Sequence, residues 1–492
     1  MIPVKDFYTY NYKNIIKGKD EIDSIIFTFD IESTSYILLH GKQYTNLEYI
    51  NFSEKEKELC IFQSTMYIWQ FSINDKVYYG RTWLEFVEFL ALLDQINPAK
   101  KIIFVHNLSF EFNFIKSVLN FKKVMCRKSH KVMQAILQDY NIEFRCTYFM
   151  SNCSLEQLAK VYNLEHLKLK GQLDYNKIRH SETPLDDNEL KYCENDCLVV
   201  YEYIKIELDE YKTITDIPLT STGHVRRECK DVFDSDPDYK SKTYKSININ
   251  PHIYNMMQDA FAGGYTHANF YYTDKVVENV TSYDFTSSYP YCLLAFPYPM
   301  SEFRKCYIKD IKQLSSNLCY LIDISFTDIK SKYYNNFISQ SKCKEITHGK
   351  YDNGRVISAD NLRIIITDVD LDYIVKAYSF KEYKINEIYF ATKDYLPKVF
   401  IDFILQKYIE KTQYKNLKGY ETEYIKSKNR FNSLYGMAVT QTIRDEVEYS
   451  NTTMEFTEIP LTNEQIIKKL NQEKRKCFMS FSWRCILYSI CT

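Results

Sequence analysis

The stretch FTFDIES, residues 27–33, constrains the fold of this chain more than any other. An apolar strand pattern, IDSIIFTFDIE, leads into it from Ile22. Side chains two apart on a strand share a face, so Asp30 and Glu32 are predicted side by side at a strand end. Two carboxylates held that close repel each other unless cations lie between them, which makes the pair a candidate divalent-metal site. For the pair alone, an ordinary strand end with acidic caps is the commoner meaning.

Two further stretches bring acids of their own. A second predicted strand, KIIFVHN (101–107), runs into HNLSFEF, where Glu111 follows Asn107 and Phe110. Alone, this segment reads as a turn with an exposed glutamate. A helical pattern over 188–208 holds YCENDCLVVYEY, and the four-residue spacing of Tyr192 and Asp196 turns both to one site. There a tyrosine hydroxyl could orient a water while the aspartate binds metal. Taken singly, the pair is a half-buried tyrosine with a solvated acid.

In this order, DxE, Asn-x-x-Phe-acid and Tyr-x-x-x-Asp resemble the three motifs of proofreading 3′–5′ exonucleases attached to DNA polymerases. The resemblance implies two-metal hydrolysis of a phosphodiester, with Asp30, Glu32 and Asp196 as metal ligands and Glu111 and Tyr192 in the catalytic set. Asn107 and Phe110 become DNA contacts. The second motif commonly carries Asp where this chain has Glu111, so the carboxylate sits about one methylene further out.

SYDFTSSYP (282–290) resembles the Dx2SLYP motif of family B DNA polymerases, with Ser288 in place of the usual Leu. It implies a strand ending at Asp284, a metal ligand, with Ser287 near DNA and Tyr289 excluding a 2′-OH from the incoming sugar. KNRFNSLYGMA (428–438) matches the fingers motif Kx3NSxYG. Lys428, Asn432 and Tyr435 fall on one helical stripe, suited to a triphosphate and a new base pair. Gly436 would end the helix or let DNA approach. Lys411, upstream on a helical stretch from about 396 to 437 that breaks near KNLKGY, is a second triphosphate candidate.

FAGG (261–264), with Phe261, Gly263 and Gly264, resembles the YxGG/A segment that couples polymerase and exonuclease sites through DNA. Ser154 and Leu155 resemble the (S/T)Lx2h motif, and Lys170 in KLKGQL the catalytic lysine of Kx2h. The whole order resembles the protein-primed family B DNA polymerases of phages and linear plasmids. The fold this implies is α/β and α+β, multidomain: a ribonuclease H-like exonuclease domain, then a right-hand palm and fingers with family-specific insertions. The expected boundaries are exonuclease 1–210, first palm part 211–295, first insertion with return to palm 296–395, fingers 396–440, second insertion 441–475 and a palm segment 476–492. Implied cofactors are Mg2+ or Mn2+, two per site. Implied partners are primer–template and single-stranded DNA, dNTPs and a terminal protein primer.

Asp284 still needs a second palm acid. TDVDLDY (367–373) precedes the fingers motif, whereas the family's last metal motif, YxDTDS, follows it, so Thr367, Asp368 and Asp370 read as a capped helix start. No Asp-x-Asp follows Asn432. With suitable codons for Arg484–Thr492, a one-base shift after Trp483 yields Gly-Val-Tyr-Cys-Thr-Ala-Tyr-Ala, as related palms have there. The expectation is therefore a palm cut short before its last motif, completed out of frame or by a second polypeptide, with polymerisation by these residues alone in doubt.

Composition adds limits. The start lacks a signal-peptide pattern and no apolar run nears the ~18 residues of a membrane span, which reads as a cytosolic protein, in the host cytoplasm if viral. The 14 cysteines show no CxxC pair and read as buried thiols. A net charge of −1 neither suggests nor excludes nucleic acid. The 44 tyrosines and 31 phenylalanines offer stacking faces for unpaired bases, although an AT-rich genome would enrich tyrosine equally.

Overall fold

The computed structural model describes residues 1–169, 173–174, 176–237, 251–262, 264–266, 268, 270–333, 336–438 and 443–474. The expected metal-ligand strand decides the layout of the first compact unit, which comprises Met1–His224 with Tyr414–Lys426 and Asp445–Pro460. Its strands are β1 (Ile2–Pro3), β2 (Phe27–Leu39), β3 (Lys42–Tyr44), β4 (Ile61–Ile73), β5 (Lys76–Gly80), β6 (Lys101–Val105), β7 (Phe121–Cys126), β8 (Val132–Leu137) and β9 (Ile142–Cys146). They form one sheet in the order β1-β5-β4-β2-β6-β9-β8-β7, with β3 on β2. The β2–β4 pair is antiparallel and β2–β6 and β6–β9 are parallel.

The apolar run entering β2 is not one strand, as its pattern predicted. An earlier strand stops at Asp23, whose carboxylate accepts the Ile25 N–H at 3.2 Å, the Tyr10 hydroxyl at 2.7 Å and the Asn97 amide at 2.8 Å. Those bonds turn the chain out of the ladder before β2 begins. Within β2, period two then separates the faces. Phe27, Phe29 and Ile31 pack with Phe86, Phe89, Leu90 and Leu93 of helix α1 (Trp83–Ile96). Thr28, Asp30 and Glu32 alternate with them; Thr28 donates to Cys197 O at 3.2 Å in α4 (Asp187–Glu210). α2 (Leu108–Ile115) follows β6, and α3 (Leu155–Val161) packs with α4.

One feature of this unit has no sequence forecast. The hairpin Glu446–Ser450/Glu455–Ile459, from the expected second insertion, is part of it. Tyr449 and Phe456 lie 5.1 and 5.7 Å from the Phe112 ring, and Asn451 exchanges hydrogen bonds with the Phe121 backbone at 2.9 Å each.

The second unit comprises Val225–Gln413, Ser427–Arg444 and Leu461–Thr492, of which 475–492, including the expected palm segment, lies outside the described residues. Its antiparallel sheet runs β10 (Tyr298–Pro299), β14 (Glu382–Asp394), β11 (Leu318–Ser331), β13 (Arg355–Thr367), β12 (Cys343–Thr347). Its helices include α5 (Pro251–Ala260), α6 (Ser288–Ala295), α7 (Asp368–Ala377) and α8 (Lys398–Gln413); α9 (Glu421–Ala438) enters it at Ser427. Thr367 caps α7 in a capping box with Asp370, as its sequence predicted. The break between α8 and α9 falls at KNLKGY, where Asn416 and Gly419 adopt left-handed φ of 62° and 87°.

One expectation fails here, and another narrows. Residues 281–285 form no strand, and Asp284 is exposed on an irregular segment with Tyr283 and Phe285. A strand needs a partner's hydrogen-bonding groups, and among the described residues none pairs with this segment. Of the two alternatives for Gly436, the helix end is excluded, since α9 runs on to Ala438. Among the described residues, no helix is long and apolar enough to cross a membrane.

Candidate active sites

The three elements with acids of the first constellation meet in one place. Asp30, Glu32 and Asp196 each offer an oxygen, all within 4.8 Å of one another. Asp30 and Glu32 come from the β2 face turned to α4, as period two requires, but lie within the strand and not at the strand end expected, because pairing with β4 carries the ladder on to Leu38. Asp196 comes from the second turn after the Asp186–Glu189 capping box that starts α4. Glu32, Glu111 and Asp196 are buried; Asp30 keeps part of its surface open. Glu111 is therefore no exposed turn residue: α2 begins at Leu108 and carries it inward on its first turn.

Burial makes this cluster expensive when charged. Asp30 is pushed from 3.8 up to about 7, first by burial and then by the Asp196 charge. Glu32 is held well above the usual carboxylate range by burial, with Asp30 and Asp196 adding to it. Burial also raises Glu111, with Asp30 next, and raises Asp196 against the pull of Lys168. Gln70 Nε2 donates to Asp30 Oδ2 at 2.7 Å. Glu111 Oε2 and Asp196 Oδ1 are buried without a hydrogen-bond donor among the described residues. An all-carboxylate donor set with orphaned oxygens fits hard divalent cations of the Mg2+ or Mn2+ kind.

Sequence reasoning missed Lys168. Its Nζ lies 3.3 Å from Asp196 Oδ2 and 5.7 Å from the Tyr192 ring centroid. Burial disfavours its charge, but Asp196 and Asp30 outweigh that and hold its pKa above the ordinary value. The loop carrying it is tied to α4 by His166 Nδ1 with Glu202 Oε1 at 2.5 Å and by Asn195 Nδ2 donating to Leu167 O at 3.1 Å. The adjacent candidate, Lys170, lies outside the described residues. Tyr192 is buried beside the cluster, whereas Asn107 and Phe110 are exposed at the start of α2. Ser154 caps α3 through the Gln157 N–H at 3.3 Å, and Leu155 is buried in the core behind it.

The second constellation gathers in the other unit. Tyr289, in the first turn of α6, stacks on Tyr435 of α9 with centroids 4.1 Å apart and planes at 21°. Lys411, at the end of α8, donates to Ser287 Oγ at 3.2 Å and lies 4.8 Å over the Phe431 ring. On α9 the stripe separates as its spacing predicted: Ser427, Phe431 and Leu434 are buried, while Lys428 and Asn432 are exposed and Tyr435 and Gly436 half-exposed. Phe261 is half-buried and Gly264 exposed; Gly263 lies outside the described residues. Asp284 joins no group of three metal-ligating side chains among the described residues.

A family model described as DNA polymerase type B, organellar and viral, matches residues 167–484. The chain belongs to this family. The polymerase is also similar in fold to solved structures of Phi29 DNA polymerase. The complex with single-stranded DNA is 15% identical with a TM-score of 0.63, covering 92% of this chain and 75% of that one. The post-translocation binary complex with primer-template DNA is 16% identical with a TM-score of 0.61, covering 86% and 69%. The ternary complex with primer-template DNA and incoming nucleotide substrates is 15% identical with a TM-score of 0.57, covering 92% and 78%. At these identities the likeness is one of fold: exonuclease plus palm and fingers. No curated protein matches.

Proposed function

We propose that this type B polymerase is protein-primed, replicates viral or plasmid DNA, and edits its product by 3′–5′ exonucleolysis at the Asp30 site. One observation carries the editing half: three carboxylates converge within 4.8 Å, Glu111 lies against Asp30, and two buried oxygens of the four groups lack donors among the described residues. Uncompensated charge of that kind persists only where cations answer it. Two divalent cations, when bound, would supply Lewis acidity to the phosphodiester and the attacking water. Asp30, Glu32 and Asp196 would hold them, and Glu111, in contact with Asp30, would set how much charge Asp30 carries. Lys168 is the cation beside Asp196, Lys170 is assigned as the catalytic lysine of its motif, and Tyr192 walls that side of the site. Phe110 and Asn107 offer the 3′ nucleotide a ring and an amide. Ser154 and Leu155 fix the helix from which the neighbouring strand contact would be made.

For synthesis, Tyr289 serves as sugar gate, Tyr435 as stacking partner of the new pair, and Lys428, Lys411 and Asn432 as triphosphate and nucleotide contacts. Asp284 is the first palm carboxylate. Ser287, Gly436 and the FAGG segment face primer–template DNA, and the insertion 296–395 takes the terminal protein.

The exposed, unclustered Asp284 favours a second reading, an exonuclease whose remaining residues bind DNA or a terminal protein without synthesis. One experiment separates the two. With 3′-labelled single-stranded DNA and Mg2+ or Mn2+, the chain should release nucleotides, and D30A/E32A should lose roughly a thousandfold in rate, the scale of several kcal/mol of lost metal stabilisation. Equal degradation by the double variant overturns the editing site. Degradation without any primer extension selects the exonuclease-only reading.

A further inference from the structure

We propose that Gly264 is a sugar-selectivity determinant, because its missing side chain seats the hydroxyl of Tyr289 while the insertion holds that seat still. The inference rests on the reading of Tyr289 as sugar gate. A Cβ built at 264 would lie 2.7 Å from Tyr289 Oη, and apart from the glycine and its chain neighbours no other heavy atom of the described residues comes within 4 Å. The backbone at 264 is outside the left-handed region, so space and not conformation asks for glycine. Ordinary contact begins at 3.4 Å, so an alanine there would require about 0.7 Å of retreat (3.4 − 2.7) from one side or the other.

The surrounding contacts decide which side gives way. Arg355, at the start of β13, donates Nη1 to Phe337 O at 3.0 Å and Nη2 to Thr266 O at 3.4 Å. Its guanidinium lies 4.8 Å from the Tyr265 ring centroid, and Tyr265 Oη donates to Asn336 O at 3.3 Å. The Tyr265 ring also stacks on Phe337 with centroids 6.4 Å apart. On the other flank, Lys342 sits 5.9 Å over the Phe261 ring and donates to Gln258 O at 3.3 Å. Both aromatic residues that flank the glycines are thus clamped by cations of the insertion. Among the described residues the Tyr289 ring makes one aromatic stack, on Tyr435, and its hydroxyl stands at the far end of that side chain. An added methyl therefore moves the gate and not the loop.

A gate of this kind reads a 2′-OH by sub-ångström clearance between ring and sugar. Shifting the ring away from the sugar admits the ribonucleotide and lowers the preference, and shifting it toward the sugar excludes the ribonucleotide first and raises it.

The test compares the natural chain, G264A, Y289F and the double variant. Retention of dNTP and rNTP on primer–template DNA is measured with Ca2+ replacing the catalytic metal, alongside thermal unfolding. G264A should change the dNTP-to-rNTP ratio at least fivefold, in one direction or the other, and lower Tm. In the Y289F background, where the clashing hydroxyl is gone, the same change should move the ratio less than twofold and leave Tm in place. An unchanged ratio in G264A, or an equal effect with and without Y289F, overturns the inference while leaving the polymerase reading intact. A natural chain that retains neither nucleotide, or both alike, removes the gate reading and this inference with it. Retained single-strand degradation by G264A shows that the chain is folded.

Discussion

Replacing Asp30 with asparagine should stabilise the metal-free protein, increasingly so as pH rises. Unfolded, this carboxyl ionises near 3.8; folded, burial and Asp196 delay ionisation to about 7. Between those values the folded state holds more protons than the unfolded one, so its stability falls as pH rises, and above about pH 7 the whole cost stands. At about 1.36 kcal/mol per pH unit, that cost is about 4 kcal/mol, a ceiling because Asp30 keeps part of its surface open. Asparagine still accepts from Gln70 and carries no charge. For a unit of this size, about 4 kcal/mol corresponds to a Tm difference on the order of 10 °C at pH 8, shrinking toward zero near pH 4. The assay is thermal unfolding of both chains in EDTA at several pH values. Taking the difference cancels His106, which burial lowers to about 4 and which therefore makes stability rise with pH through about 6.5. Adding Mg2+ or Mn2+ to about a hundredfold over its Kd should then raise the natural chain by about 2.7 kcal/mol and D30N by less. A D30N chain less stable than the natural one at pH 8 in EDTA, or a difference that ignores pH, refutes the reasoning.

Two other perturbations follow from the same unit. Lys168→Ala removes the cation 3.3 Å from Asp196, so that carboxyl should rise further and the acid limb of the exonuclease pH–rate profile should move to higher pH. An unmoved limb would separate Lys168 from the site. Ser154→Ala deletes the cap of α3 and should cost about 1 kcal/mol, read as a Tm lowered by a few degrees.

Much of the carboxylate cluster was legible because its rules are local. Period two on β2 put Asp30 and Glu32 on one face, and helical spacing put Lys428, Asn432 and Tyr435 on one stripe of α9. Thr367 was readable as a cap for the same reason: a capping box closes within four residues. The strand expected at Asp284 failed because alternation describes only half of a ladder; the other half is a partner, and none of the described strands supplies it.

What the sequence alone determined, then, is which residues share a face and which chemistry they carry. Only the tertiary structure decided what each face meets. Lys168 reaches Asp196 because Glu202 and Asn195 tether its loop, and Gly264 matters because Tyr289 ends against it. The hairpin at 446–459 sits on Phe112 because Tyr449 and Phe456 bury apolar area there. Backbone preference and side-chain period act over a few residues and can be read in order. Burial and charge act through space, between residues whose separation in sequence says nothing of their distance.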